Sequence, residues 1–210
     1  MAIADLRAQP EPSRRYPGLD PAMMGMYIFL ASEVMFFGSL FAMYFYLFGS
    51  HIVWPPPPPS SSSEFYVAVW PIPVFNTIFL FSSAFTCHFG LDALAHDNRR
   101  RFFILWTTTI ALGVLFEAGQ LYEFISAFNR GLNLTANSFA SAFFAMTGFH
   151  GAHVLGGLIL LTLILYRAGR GQFSSRNHVG PAAVTLYWHF VDVVWFFLFI
   201  ILYVGVALVR

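Results

Sequence analysis

The chain reads as all-α, an integral membrane bundle of five transmembrane helices, and three observations predict this. First, its 210 residues are 58% hydrophobic and only 10% charged, whereas a soluble domain carries charge on about a quarter of its residues. Second, the apolar residues gather into five stretches, each reaching the ~20 residues that a membrane-crossing helix needs. Third, the arginines collect in alternate connections between those stretches, as the loops of a multi-pass protein do.

Residues 1–20 are polar and proline-spotted, with no apolar run of signal-peptide type before the first span, so they read as a cytoplasmic N-terminal tail. The first span covers about 21–49. Pro21 opens it at a position where a missing N–H costs nothing. The connection 50–66 holds Trp54, then Pro55 to Pro59 and Ser60 to Ser63. Consecutive prolines favour an extended segment and serines a flexible joint, so this loop reads as a spacer. The second span covers about 67–95. Pro71 and Pro73 make its first turn irregular or delay the helix until after Pro73. The third covers about 102–128, with Arg99, Arg100 and Arg101 filling the turn before it. Asn137 and Ser138 are candidate caps for the fourth span, about 138–166. Pro181 opens the fifth, about 181–209. These spans form one transmembrane domain, 21–210.

Arginine supplies every one of the 11 basic residues. Arg7, Arg14 and Arg15 precede the first span, Arg99 to Arg101 separate the second from the third, and Arg167, Arg170 and Arg176 separate the fourth from the fifth. The opposite side has only Arg130 and Arg210. The positive-inside rule then puts the N-terminus in the cytoplasm and the C-terminus outside. A net charge of +1 with dispersed arginines gives no footprint for nucleic acid. The single cysteine, Cys87, supports neither a disulfide framework nor a cysteine metal site.

Polar residues inside the spans are costly, so each needs a purpose. At 1.5 Å per residue, Glu33 lies about 18 Å into the first span, and His150 reaches a similar depth in the fourth, with His153 one turn deeper. Asp192 and His189 share a face of the fifth span at i, i+3, with Trp188 and Trp195 positioned to donate indole N–H groups to Asp192. Glu117, Gln120 and Glu123 follow one face of the third span, and His88 and Asp92 lie at the inner end of the second. The favoured reading of Glu117, Gln120, Glu123, His150, His153, Trp188, His189 and Asp192 is a structural polar network between helices. Two histidines at i, i+3 without a third ligand do not define a metal centre, so no metal is expected. Spacing alone leaves an axial histidine pair for haem open. Glu33 stands apart. Its local sequence offers only Ser32 as a polar neighbour, so a neutral carboxyl is expected, either proton-handling or lipid-contacting, or a packing acid. Gly148, Ala152 and Gly156 at i, i+4, i+8, and more weakly Gly38 with Ala42, mark faces where helix backbones are expected to meet closely.

Five segments carry a family resemblance. Thr147-Gly148-Phe149-His150-Gly151-Ala152-His153-Val154, followed by Gly156-Gly157, and Tyr187-Trp188-His189-Phe190-Val191-Asp192-Val193-Val194-Trp195 are similar to two signature segments of cytochrome c oxidase subunit III. Ser32-Glu33-Val34-Met35-Phe36-Phe37, Phe75-Asn76-Thr77 with Ser82-Ser83, and Gln120-Leu121-Tyr122-Glu123-Phe124 resemble it too, one segment per span and in family order. The resemblance implies a non-redox, accessory subunit of a proton-pumping respiratory terminal oxidase in the bacterial plasma membrane. It implies haem and copper in partner subunits, none bound by this chain, and no catalytic residue here. The implied partners are subunit I directly, subunit II and a small subunit IV in the complex, cytochrome c as donor, and membrane lipids including structural phospholipid. Glu33 corresponds to the family's carbodiimide-reactive glutamate. Mitochondrial members have seven spans, with lipid in a cleft beside the first two; this chain has the five-span form, which leaves that cleft without its outer wall.

Two further readings stay open at this point: a related subunit of a quinol oxidase or of nitric oxide reductase, and a stand-alone proton or ion carrier using Glu33, Glu117 and Asp192. A carrier often shows repeated halves with broken helices at matched positions, and the sequence has no internal repeat.

Overall fold

A computed structural model describes residues 20–56, 71–132 and 134–208. Five helical spans are long and apolar enough to cross a membrane. They are α1 (Pro21–Ser50), α2 (Ile72–Ala95), α3 (Arg99–Asn129), α4 (Ser138–Gly169) and α5 (Val179–Phe199), the last continuing through a π-helical stretch (Ile200–Val204) and a final turn (Gly205–Leu208). Among the described residues the only β feature is one isolated bridge, Ser174 to Asn177.

Local chemistry sets the helix starts. Asp20 caps α1 by accepting from the Ala22 N–H at 2.9 Å, with Pro21 next. Helix α2 begins at Ile72 and carries Pro73 in its first turn, so it does not wait until after Pro73. Residues 67–70, placed in that span by sequence, lie outside the described residues, as do 1–19 and most of the proline–serine loop. Asn137 caps α4 through the Ala140 N–H at 2.8 Å, and Ser138 is the first helical residue rather than the cap. Helix α5 starts two residues before Pro181, at Val179.

Helix α3 corrects the sequence reading. Asn98 accepts from the Arg101 N–H at 3.2 Å, so the cap falls early and Arg99 to Arg101 occupy the first helical turn instead of the connecting turn. The connections α2–α3 and α4–α5 lie at the same end of the bundle. There the Asp97 carboxylate accepts from the Ser175 N–H at 3.0 Å and from its hydroxyl at 2.6 Å. Those hydrogen bonds to its charged form hold the Asp97 carboxyl below the usual aspartate range. The other end is joined by Asn137 Nδ2, which donates to the Pro56 carbonyl at 3.2 Å.

The core lies among α2 to α5 and is heavily aromatic. Trp106, Trp188, Trp195, Phe102, Phe116, Phe139 and Phe143 are fully buried. Helix α1 lies against α4 and α5 and buries one narrow stripe, Leu30, Phe37 and Tyr44. Close approach occurs at other glycines than expected. A Cβ on Gly157 would lie 2.7 Å from the Trp188 ring, and one on Gly113 2.8 Å from Leu158 and 2.9 Å from Trp188. Ala152, in the middle of the expected stripe, is exposed, and nothing lies within 4 Å of a Cβ on Gly38.

Candidate functional site

Glu33 and His153 meet at membrane depth. Helix α1 places Glu33 one turn before the buried Phe37, and α4 places His153 one turn after the buried His150, so both reach the α1–α4 seam. Glu33 Oε2 lies 3.0 Å from His153 Nε2, with the two side chains 17% and 18% exposed. The other ring nitrogen, Nδ1, lies 2.7 Å from the Phe149 carbonyl. A carbonyl only accepts, so Nδ1 carries a proton. The Nε2–Oε2 contact then requires one proton between its two atoms: on the carboxyl if the pair is neutral, on the imidazole if it is ionic. Phe36 stacks on the His153 ring at 6.2 Å, and Phe37 meets it edge-on at 5.0 Å. The Tyr187 hydroxyl donates to the His153 carbonyl at 2.9 Å, tying this seam to α5. Glu33 is therefore not the partnerless acid that its local sequence suggested.

The His189–Asp192 pair is looser than expected. Nδ1 of His189 and Oδ2 of Asp192 are 3.6 Å apart, too far for a good hydrogen bond, and both buried Asp192 oxygens are without a hydrogen-bond partner. The indoles do not serve Asp192. Trp188 Nε1 donates to Ser83 Oγ at 2.9 Å, and Trp195 Nε1 donates to Thr77 Oγ1 at 3.0 Å, both on α2. The indole N–H points along its ring plane, and burying these rings in the core aims them at α2 rather than back along α5. His88 on α2 reaches the same region, its ring 6.2 Å from that of His189.

The third group is internal. Glu123 accepts from the Tyr203 hydroxyl at 2.9 Å. His150 is fully buried, stacked on Trp195 at 5.2 Å and edge-on to Phe116 at 5.8 Å. The Glu117 carboxyl seats against the bare Cα of Gly151, and the Asn76 carboxamide against that of Gly119. Gln120 is buried on the same face of α3. Expected helix–helix hydrogen bonds from Gln120 and from Oε2 of Glu117 are not made. Among the described residues, no group of three or more His, Cys, Asp or Glu side chains is arranged to hold a metal ion.

The structure thus brings Glu33 to His153, Glu123 to Tyr203 and Trp188 to Ser83, and leaves Glu117, Gln120, His150 and Asp192 without side-chain hydrogen bonds at their buried atoms. Asn76, Thr77, Ser83, Tyr187 and Tyr203 were absent from the candidate network. By helical rise Glu33 matches His150 in depth, whereas its partner is His153, one turn deeper.

Comparison with known proteins agrees with the motif resemblance. The family described as "Cytochrome c oxidase subunit III" matches residues 18–206. A "Cytochrome c oxidase subunit 3" from Thermostichus vulcanus is 40% identical over 186 residues, covering 88% of this chain and 88% of its own. One from Synechocystis is 40% identical over 185 residues, covering 88% of this chain and 76% of its own. A "Probable cytochrome c oxidase subunit 3" from Mycobacterium tuberculosis is 38% identical over 186 residues, covering 86% of both chains.

Proposed function

Because this multi-pass plasma-membrane chain belongs to the cytochrome c oxidase subunit III family, we propose that it is the accessory, non-redox subunit of a proton-pumping cytochrome c oxidase. It packs beside subunit I, stabilises it and supports proton uptake, while the partner subunits I and II carry the haem and copper that reduce O2. A small subunit IV completes the complex. The N-terminus lies in the cytoplasm and the C-terminus outside. In support, the arginine-bearing ends of α3 and α4 lie at one end of the bundle, joined by Asp97 and Ser175.

The observation that carries the reading is the Glu33–His153 contact at 3.0 Å. An acid and an imidazole share one proton, held in an aromatic collar and partly open to the side of the bundle. Such a pair suits proton-linked or lipid-contacting support. Structural phospholipid fits the apolar groove lined by Tyr44, Phe45, Phe48, Trp54, Ile200, Ile201 and Gly205, which offers acyl chains a seat.

Mild-detergent purification with mass spectrometry and a visible spectrum tests the proposal. Co-isolation with copper- and haem-bearing subunits that oxidise cytochrome c is the expected outcome. A complex that oxidises only quinol, or reduces nitric oxide, would move the chain to a related complex. A colourless single chain carrying proton flux in liposomes would overturn the accessory role.

A further inference from the structure

The bundle encloses more hydrogen-bonding capacity than it satisfies. Asn76 and Glu123 are 2% exposed, Gln120 3% and His150 0%. Within this interior, Asn76 Nδ2, Glu117 Oε2, Gln120 Oε1 and Nε2, Glu123 Oε1 and both ring nitrogens of His150 are buried without a hydrogen-bond partner. A neutral imidazole has one donor and one acceptor, and a carboxamide has two donors and an acceptor. A buried group left unpaired bears the full cost of its lost hydration, so seven unpartnered atoms in one region call for a partner that both donates and accepts.

The surroundings are built for polar contents. Gly119 and Gly151 leave notches in α3 and α4, and the Asn76 carboxamide and Glu117 carboxyl occupy them; a Cβ on Gly151 would lie 3.3 Å from Glu117 Oε1. Trp195 forms a wall that touches all sides. It stacks on His150 at 5.2 Å, meets Phe116 edge-on at 4.7 Å, bonds Thr77 at 3.0 Å and lies 6.2 Å from Tyr203, which bonds Glu123. Chemistry selects the occupant. The acids and imidazole do not gather into a group of three suited to a cation. Water supplies both donors and acceptors and is a normal interior component, at about one molecule per 27 residues.

We propose that the space between α2, α3, α4 and the last span is a water-binding site, in which ordered waters bridge Gln120 and His150 and reach Asn76, Glu117 and Glu123. Trp106, whose indole bonds directly to the Leu161 carbonyl at 3.0 Å, serves as the buried reference outside the site.

Radiolytic footprinting of the assembled oxidase tests this, because hydroxyl radicals formed from water in place oxidise buried side chains where water is bound beside them. Trp195 and Trp106 are both 0% exposed, so exposure does not bias the comparison. The expected result is severalfold faster oxidation of Trp195 and His150 than of Trp106. Equal protection of all three would overturn the site. The wild-type comparison decides without any variant. Gln120→Leu, which removes one anchor of the bridge, sharpens it: Trp195 labelling falls toward that of Trp106, and undiminished labelling would remove Gln120 from the site.

Discussion

Helix α1 and the last span are both 30 residues long and apolar enough to cross a membrane, yet 17% of the apolar stretch is buried in α1 and 44% in the last span. Several large side chains show the same division. Trp188 and Trp195 of α5 are fully enclosed and bond to α2, whereas Met35, Phe45 and Tyr46 of α1 are mostly exposed. Both helices pass as membrane spans by length and composition, and since lipid and protein interior are both apolar, an apolar stretch does not by itself say which of the two encloses it. The difference lies in where polar atoms and small residues fall. Helix α5 is locked by indole donors and glycine notches, while α1 is held by a narrow stripe and one polar pair. The last span is a structural axis and α1 a helix on the periphery, with its acid placed where the bundle meets its surroundings.

The largest expected effect falls on the axis. Gly157→Val drives two methyl groups into a place where even a Cβ would lie 2.7 Å from the Trp188 ring. Overpacking of this kind costs about 3 kcal/mol, and little yields nearby, because Trp188 is fully buried and also closes on Gly113. The yield of assembled oxidase and its melting temperature should both fall steeply. By contrast Gly38→Val on α1, with nothing within 4 Å of its Cβ, should leave both near wild type. Similar losses at the two positions would break the distinction between axis and periphery.

A smaller and different effect is expected at Glu33. Glu33→Gln keeps a side chain of the same shape, whose amide can donate to His153 Nε2, but removes the exchangeable proton of the pair. Assembly and electron transfer should persist, while proton uptake or the lifetime of turnover changes. Complete loss of electron transfer in an assembled variant would contradict an accessory role. Failure to assemble would instead make the pair, rather than Leu30, Phe37 and Tyr44, the fastening of α1.

Much of this architecture could be read from residues, for identifiable reasons. The five spans follow from hydrophobic length alone, and Asn137 caps α4 because a short polar side chain satisfies an open N–H wherever the helix begins. Rotation about the helix axis is not local. Neighbouring residues differ by about 100° in direction, so the expected contact at Gly156 and the observed crowding at Gly157 sit on different faces. Trp188 is 105 positions from Ser83 and Trp195 118 from Thr77, and no spacing rule spans that distance. The site was legible as a set of residue types and depths. Its pairings were set by the packing of α5, which aims the indoles at α2 and leaves Asp192 without them.

The smallest effect belongs to the exposed end of the bundle, where the Asp97–Ser175 contact joins the α2–α3 and α4–α5 connections. The Asp97 carboxyl titrates below its ordinary value because the Ser175 hydroxyl and N–H both bond its charged form. A lowered folded-state pKa stabilises the folded protein above the unfolded-state value of about 3.9 and loses that stabilisation as pH falls through the folded value. Near neutral pH the contact is therefore complete and insensitive to pH. Hydrogen exchange at the Ser175 N–H should stay slow from neutrality down to mildly acidic pH, after correction for the intrinsic rate, and quicken only in acid below the ordinary aspartate range. Asp97→Asn keeps an acceptor for one of the two bonds but removes the charge, so its exchange should be modestly faster and lose the acid step. Because the carboxylate is solvent-exposed, water and salt screen it, and the melting temperature of the whole complex should scarcely move. A large drop on Asp97→Asn would show that this end, and not the tryptophan-filled axis around α5, holds the spans in register.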